Sequence, residues 1–378
     1  MSRQKEQDDL EGNLCKNGKG RGSTTLKLSI CITTFCRSNY FAETVESILP
    51  QLTPECEIVV VDAGSTDDTE QIALKISARS ASFRYVRQVG NNGIDRDYDT
   101  AVELARGDYC WLMTDDDLLK PEGVKIVLAA LRSDPSLVVA NVERRDLTMS
   151  NVVQSRWLDL DVDRSYLPDE IERLFVDVVD LLKYIGCVII RRSIWRGRDR
   201  SSYYGSYFVH VGVIFQERLP GHALVVARPL VSQRLGNTHT FSPKLGEILY
   251  SKWPSLIGSL PISSAEKRKV YSAEPWGHLQ MLLVYRATGC YSFVDYRRWI
   301  RPHLRSSRAQ FAGILVAHVP GILVRAALAT FCMVKRRCIQ GLWWPGMMQQ
   351  SVRRSMDRAR NRLGGLFNAV RQRCGFAE

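Results

Sequence analysis

The stretch that decides the fold is residues 91–117, NNGIDRDYDTAVELARGDYCWLMTDDD. It begins with a Gly- and Asn-rich loop, followed by a helix that the apolar spacing predicts to end at Gly107. An apolar strand at 108–113 comes next and runs into Thr114 and three adjacent aspartates. A buried strand that ends in an acidic loop is typical of an open sheet, whose ligands bind beyond the carboxyl ends of the strands.

The same order of strand, polar loop and helix precedes that stretch. Residues 26–33 (LKLSICIT) and 57–61 (EIVVV) are apolar β-rich runs, and they are followed by the loops TTFCR and DAGSTDD. Further strands are predicted at 83–88, in LVVANVE and in ALVVARPLVSQRL. This alternation predicts the α/β class, with an open sheet that has helices on both faces.

Composition indicates a basic globular protein with an anionic partner. The 378 residues are 45% hydrophobic and carry a formal net charge of +12, which suits nucleotide phosphates, a lipid surface or nucleic acid. The ten cysteines form no CxxC pair, and those in apolar runs, such as Cys31, Cys110 and Cys187, are predicted to be buried free thiols. Residues 1–25 are polar, lack an apolar secretory segment and are predicted to form a disordered leader.

The acidic run at the end of the fourth strand is a candidate metal site. Adjacent carboxylates repel one another unless a cation lies between them, and Mg²⁺ or Mn²⁺ takes one or two carboxylates together with phosphate oxygens. Each of Asp115, Asp116 and Asp117 is a candidate ligand, and Asp116 and Asp117 are the predicted pair. The alternative is a helix N-terminus with acidic residues in its first turn, and the two interpretations are compatible.

Other polar residues have two interpretations each. Asp62 ends a strand, where an acid can bind a base or a ribose, but it also suits the turn DAGS. Asp95 and Arg96 lie in the loop NNGIDR, where Arg96 could bind a phosphate or form a surface ion pair. His210 lies in the apolar run SYFVHVGVIF, which favours a core histidine over a catalytic base.

Residues 26–240 resemble the family 2 glycosyltransferases, on the segments LSICITTFCRSNYFAETVESIL, EIVVVDAGSTDDT and NNGIDRDYDTAVELARGDYCWLMTDDD. The last segment is similar to the abequosyltransferase-like branch, which decorates bacterial surface polysaccharides such as O-antigen. The resemblance implies a GT-A fold with a mixed sheet at 26–245, divided into a nucleotide-sugar half (26–143) and an acceptor half (144–245).

The resemblance also implies an inverting, metal-dependent transfer from a nucleotide-diphosphate sugar to a glycan or lipid-linked oligosaccharide. Thr33 and Asp62 would line the base pocket, Asp115 would contact the ribose and Asp116 the metal, Mn²⁺ or Mg²⁺. The stretch VHVGVIFQERL places His210 at the position of the catalytic base. The full set of implied nucleotide-sugar contacts is Thr33, Phe35, Arg37, Asp62, Asp95, Arg96 and Asp115.

The C-terminal region, residues 246–378, is predicted to be helical, and after residue 296 its only acids are Asp357 and Glu378. Its apolar run at 311–334 contains Arg325, which favours a helix lying in the membrane interface over one that spans it. The resulting prediction is a cytoplasmic protein, peripheral on the anionic cytoplasmic face of the inner membrane, with no nucleic-acid partner. The alternative for the C-terminal region is a helical subdomain packed on the core. The alternatives for the whole protein are a non-catalytic binder of nucleotide sugars and a basic nucleic-acid-binding protein.

Overall fold

A computed structural model describes residues 26–237, 245–270, 279–289, 291–304 and 306–327. The predicted disordered leader at 1–25 lies outside the described residues, as does most of the basic tail after residue 327. The strands are β1 (Leu28–Thr34), β2 (Cys56–Asp62), β3 (Phe83–Arg87), β4 (Tyr109–Met113), β5 (Leu118–Leu119), β6 (Leu137–Arg145), β7 (Val152–Gln154), β8 (Arg164–Tyr166), β9 (Val188–Arg191) and β10 (Ala223–Arg234).

Helices connect these strands and continue beyond them. Those among the strands are α1 (Ser38–Ile48), α2 (Thr69–Ser77), α3 (Ile94–Leu104), α4 (Gly123–Ala130), α5 (Ile171–Val178), α6 (Arg192–Gly197) and α7 (Val209–Phe215). Those that follow are α8 (Trp253–Ser259), α9 (Ser264–Val270), α10 (Leu279–Thr288), α11 (Ser307–His318) and α12 (Gly321–Ala327), with π-helical segments at Ile248–Lys252 and Tyr296–Ile300.

The described strands form one mixed sheet in the order β3-β2-β1-β4-β9-β6-β10-β5, with β7 at the side of β6 and β8 at the side of β10. The first four positions are parallel, so that Thr34 lies beside Asp62 and Ile32 beside Met113. Strand β9 is antiparallel to both β4 and β6, and it joins the parallel half to the pair β6 and β10. The predicted α/β class with an open mixed sheet is confirmed.

Both faces of the sheet are covered. Every residue of β1, β2 and β4 is buried, which explains why these strands are continuous apolar runs in the sequence. Helix α3 packs against β1 and β2, while α1 contacts α2 and β5. The predicted buried thiols Cys31, Cys110 and Cys187 are free and buried.

The main core does not end at residue 245. Ile248, Trp253, Leu256 and Ile257, which belong to the predicted C-terminal region, are buried in the same apolar cluster as the sheet. A second cluster around Tyr291, Tyr296 and Ile300 holds the later helices together.

Within the described residues, no single helix has the length and apolar character to cross a membrane. Helices α11 and α12 meet the criterion only as a pair, bent by 98°. The remainder of the apolar run at 311–334, from residue 328 on, lies outside the described residues.

Candidate active site

A cleft of about 460 Å³ opens at the carboxyl ends of β1 to β4. Its other wall is formed by the turns before β9, the segment that leads into α7 and the end of β10. The sequence-predicted site residues that line it are Thr33, Phe35, Arg37, Asp95, Arg96, Asp115, Asp116, Asp117 and His210. The parallel strands bring these together because their carboxyl ends share one edge of the sheet.

Arg37 neutralises the acidic cluster in this structure. Its guanidinium is paired with the carboxylate of Asp116 and lies 3.7 Å from Oδ1 of Asp115. The side-chain amide of Asn237 also donates to Oδ2 of Asp116, at 2.9 Å. Burial, together with the neighbouring Asp116 charge, raises the pKa of Asp115 to about 7, so a further cation in this corner would favour its ionised form.

Asp117 has a structural role that the sequence does not show. Its Oδ2 accepts hydrogen bonds from the hydroxyls of Thr114 (2.5 Å) and Tyr184 (2.7 Å). Its Oδ1 accepts the backbone N–H of Arg234 at 2.6 Å. Both oxygens are therefore occupied within the protein, and this geometry argues against the predicted metal role of Asp117. The carboxylate instead ties the loop after β4 to the end of β10.

A metal ion in this corner would need ligands besides the protein's side chains to complete its coordination. In the part of the chain that the structure describes, no three His, Cys, Asp or Glu side chains are grouped to hold one. Asp115 and Asp116 remain as two neighbouring carboxylates that line the cleft. This donor set fits Mg²⁺ or Mn²⁺ that completes its coordination with diphosphate oxygens and water.

Arg234 and Asn237 are site residues that sequence reasoning missed. The Nε of Arg234 donates to the backbone oxygen of Asp116 at 2.8 Å, and its guanidinium also pairs with Glu43 on α1. The Arg234 side chain is 4% exposed, and its contacts connect the acidic loop to α1. The only local signal was the position of Arg234 at the end of a strand.

Asp62 is not in the cleft, contrary to the predicted base contact. It is fully buried, and its carboxylate accepts the backbone N–H of Ser65 at 2.8 Å and the hydroxyl of Tyr85. The turn interpretation of DAGS therefore describes its geometry. Thr33, the other residue predicted for the base pocket, does line the cleft.

Asp95 also binds its own chain. Its two oxygens accept the backbone N–H groups of Tyr207 (2.9 Å) and Val209 (3.1 Å), and so join the start of α3 to the segment that leads into α7. Tyr207 has a φ of 71°, in the left-handed region, and this contact holds it there. The guanidinium of Arg96 lies 4.4 Å from the ring centre of Tyr204 and faces the cleft.

His210 is a buried neutral histidine that lines the cleft. It is 1% exposed, and burial lowers its pKa to about 4. Its Nε2 lies 2.7 Å from the backbone oxygen of Leu182, so Nε2 carries the proton and Nδ1 keeps its lone pair. No hydrogen-bond donor among the described residues reaches Nδ1.

The chain is similar in sequence to known glycosyltransferases. The family model described as Glycosyl transferase family 2 matches residues 29–198. An abequosyltransferase of Salmonella typhimurium, RfbV, is 27% identical over 297 residues, which cover 72% of this chain and 86% of that protein. The chondroitin synthase of Escherichia coli is 36% identical over 138 residues, and the match spans 34% of this chain but only 20% of that enzyme.

Among solved structures, residues 1–349 of S. aureus TarS in complex with UDP match with a TM-score of 0.50 at 15% identity, covering 89% of this chain and 92% of that one. This likeness is one of fold, and it agrees with the mixed sheet. The family match spans β1 to β4 and the acidic loop that forms the floor of the cleft. Residues 29–198 therefore match the family 2 glycosyltransferases, the chain has a GT-A-like α/β fold, and it is similar to an abequosyltransferase.

Proposed function

We propose that this glycosyltransferase moves a hexosyl or deoxyhexosyl group from a nucleotide-diphosphate sugar to a glycan acceptor of a bacterial surface polysaccharide, with inversion at the anomeric carbon. The observation that carries the proposal is that one and the same cleft has Arg37, Asp115 and Asp116 on one wall and the Nδ1 atom of His210 on the other. This Nδ1 has no hydrogen-bond partner among the described residues. The similarity to an abequosyltransferase supports the sugar class and the polysaccharide context.

The diphosphate of the donor belongs at the corner of Arg37 and Arg96. Arg37 already neutralises two carboxylates there, and Arg96 is held over the ring of Tyr204 with its charge facing the cleft. Guanidinium groups bind phosphate oxygens in pairs and stabilise the charge that develops on a departing diphosphate. Asp115 and Asp116 would hold a divalent cation, which when bound neutralises that same leaving group.

His210 is the proposed base on the acceptor side. The acceptor hydroxyl loses its proton to Nδ1 as its oxygen bonds to the anomeric carbon and the bond from that carbon to the diphosphate breaks. The hydrogen bond to Leu182 fixes the tautomer that this step needs. A pKa near 4 keeps the ring neutral at physiological pH, although it also makes the ring a weak base.

We further propose that α11 and α12 bring the enzyme to an anionic membrane surface, where a lipid-linked acceptor is held on the cytoplasmic face. Phe311, Leu315, Ile322 and Leu323 are each more than half exposed on these two helices. Exposed arginines precede them in the sequence, namely Arg297, Arg298, Arg301 and Arg308. Apolar residues with cationic neighbours bind the interface of anionic bilayers.

Vesicle flotation tests the membrane contact. The full chain should float with vesicles that contain anionic phospholipid and stay behind with neutral ones. Phe311→Asp should weaken flotation, whereas Val162→Asp, at an equally exposed position beside the sheet, should not. Equal flotation of both variants, or none by the wild type, would refute this part of the proposal.

The experiment on the chemistry is a donor screen followed by turnover. Thermal unfolding is measured with UDP, dTDP, GDP, CDP and ADP, in Mn²⁺ and in EDTA, because a ligand of the native state raises its stability by mass action. Transfer to a lipid-linked glycan fraction is then measured with sugars of the nucleotide that binds. We expect metal-dependent stabilisation by one nucleotide and an inverted product.

The variant His210→Asn should bind that nucleotide normally and lose about 10²- to 10⁴-fold in kcat, the usual contribution of a general base. His222→Asn, at a histidine that bonds Ser133 outside the cleft, is the control and should be unchanged. Nucleotide binding without turnover by the wild type would support a non-catalytic binder. A retained anomeric configuration would exclude the single displacement.

A further inference from the structure

Asp97 is a cleft residue with an unused carboxylate oxygen. It stands in the first turn of α3, is 3% exposed and lines the cleft. Within the residues that the structure describes, no hydrogen-bond donor reaches its Oδ1. A buried acceptor without a donor is rare in folded proteins, and in a binding cleft the donor that it lacks is one that a ligand supplies.

The neighbours of Asp97 place it at one end of the cleft. The carboxylate is hydrogen-bonded by the side chain of Gln88, which follows β3, and Gln88 is itself held by Asn92 at 2.6 Å. The acidic corner of Asp115 and Asp116 follows β4. Strands β3 and β4 are separated by β2 and β1, which makes about 14 Å at the usual spacing of about 4.8 Å between strands.

A nucleoside diphosphate is long enough to span that distance. With its diphosphate among Arg37 and the acidic corner, its base lies towards the end of β3. The strand-end acid Asp62 is sealed beneath this end by Ser65 and Tyr85, so its carboxylate is not available to the base. Asp97 is the carboxylate that faces the cleft there.

We propose that Asp97 recognises the nucleobase of the donor by accepting an N–H hydrogen bond on Oδ1, and that it favours bases with an exocyclic amino group. The inference rests on the proposed nucleotide-sugar donor. An ionised carboxylate is an acceptor only. The single imide N–H of uracil or thymine lies between two carbonyl oxygens, which a carboxylate repels. An exocyclic amino group presents two donors, and in cytosine and guanine a ring acceptor flanks it on one side only.

The test is the binding of free nucleoside diphosphates to the full chain by calorimetry. The panel is CDP, GDP, ADP, UDP and dTDP, with inorganic pyrophosphate as the probe for the phosphate end. The variant is Asp97→Asn, which has nearly the same shape but presents both a donor and an acceptor. Asp108→Asn removes an equal charge at an exposed position and is the control.

Wild type should bind at least one amino-bearing nucleotide more tightly than UDP and dTDP. Asp97→Asn should weaken that nucleotide about 10- to 100-fold, the value of one hydrogen bond to a charged acceptor, and should shift the preference towards UDP. Pyrophosphate affinity should not change in either variant. Thermal unfolding of the apo variant should match or exceed that of wild type, because the variant buries no unpartnered charge.

Three outcomes would overturn the inference alone. They are a wild type that prefers UDP or dTDP, an unchanged ratio between nucleotides in Asp97→Asn, and an equal loss for all nucleotides and pyrophosphate. If wild type binds no nucleotide in the presence of metal, the proposed function itself fails.

Discussion

Replacing Asp117 separates its observed structural role from the metal role that the sequence predicts. In Asp117→Ala, the buried N–H of Arg234 loses its acceptor, and the hydroxyls of Thr114 and Tyr184 lose theirs. An orphaned buried group costs about 1–3 kcal/mol. The two hydroxyls lie 3.4 Å apart and recover part of the loss by pairing with each other. Removal of a carboxylate whose pKa burial has raised offsets a further part.

The net cost is therefore about 3 kcal/mol of the free energy of unfolding, which corresponds to a drop in Tm of about 6–12 °C for a domain of this size. Asp117→Asn keeps one acceptor oxygen and should lose roughly half as much. Asp116→Ala takes a partner from Arg37 and Asn237, and relief of the repulsion among three carboxylates offsets part of that loss. It should lose metal-dependent stabilisation by nucleotide.

The assay is thermal unfolding by circular dichroism, with and without Mn²⁺ and the bound nucleotide. Far-ultraviolet spectra at low temperature check that each variant is folded. An Asp117→Ala protein that melts like wild type yet no longer responds to metal would refute the reasoning, and it would restore Asp117 as a ligand.

Three further predictions concern the frame of the cleft. Burial lowers the pKa of His210 to about 4, so as the pH falls the histidine takes up its proton in the unfolded chain before it does in the folded one. The free energy of unfolding should therefore be at its full value above about pH 6.5 and should fall by up to about 3 kcal/mol between that pH and about pH 4. His210→Gln should flatten this part of the pH–stability curve measured by urea unfolding, and parallel curves would contradict the assignment. Asp95→Ala removes the acceptor of the backbone N–H groups of Tyr207 and Val209, so the free energy of unfolding should fall by about 2–4 kcal/mol. An unchanged urea midpoint would show that these two hydrogen bonds do not stabilise the wall of the cleft. Gly212→Ala would place a Cβ 2.3 Å from the Tyr203 ring and should lower the free energy of unfolding by about 1–3 kcal/mol. The control Gly258→Ala meets no atom within 4 Å and should be neutral or stabilising. Equal melting temperatures for the two variants would refute the packing argument.

The sequence predicted which residues lie in the cleft better than it predicted the contacts that they make there. Nine of the ten predicted residues line the cleft, because each ends or follows a strand, or begins a helix, beside the same edge of the sheet. The exception is Asp62, whose neighbour Ser65 is in the same turn and whose other partner, Tyr85, lies on the adjacent strand. Nothing in the sequence separates a carboxylate that faces solvent from one that faces a tyrosine on the neighbouring strand.

By itself, the sequence determined six of the ten described strands in their order, the apolar core and the polar edge of the sheet. These follow from local periodicity and from the rule that parallel strands present their carboxyl ends together. Only the tertiary structure decided that β9 runs antiparallel between β4 and β6, and which carboxylates are free. Asp117 finds its partner Arg234 at a sequence separation of 117 residues, and Asp95 finds Val209 at 114. A carboxylate binds whichever donors the packing brings within reach, and local sequence carries no record of those long-range neighbours.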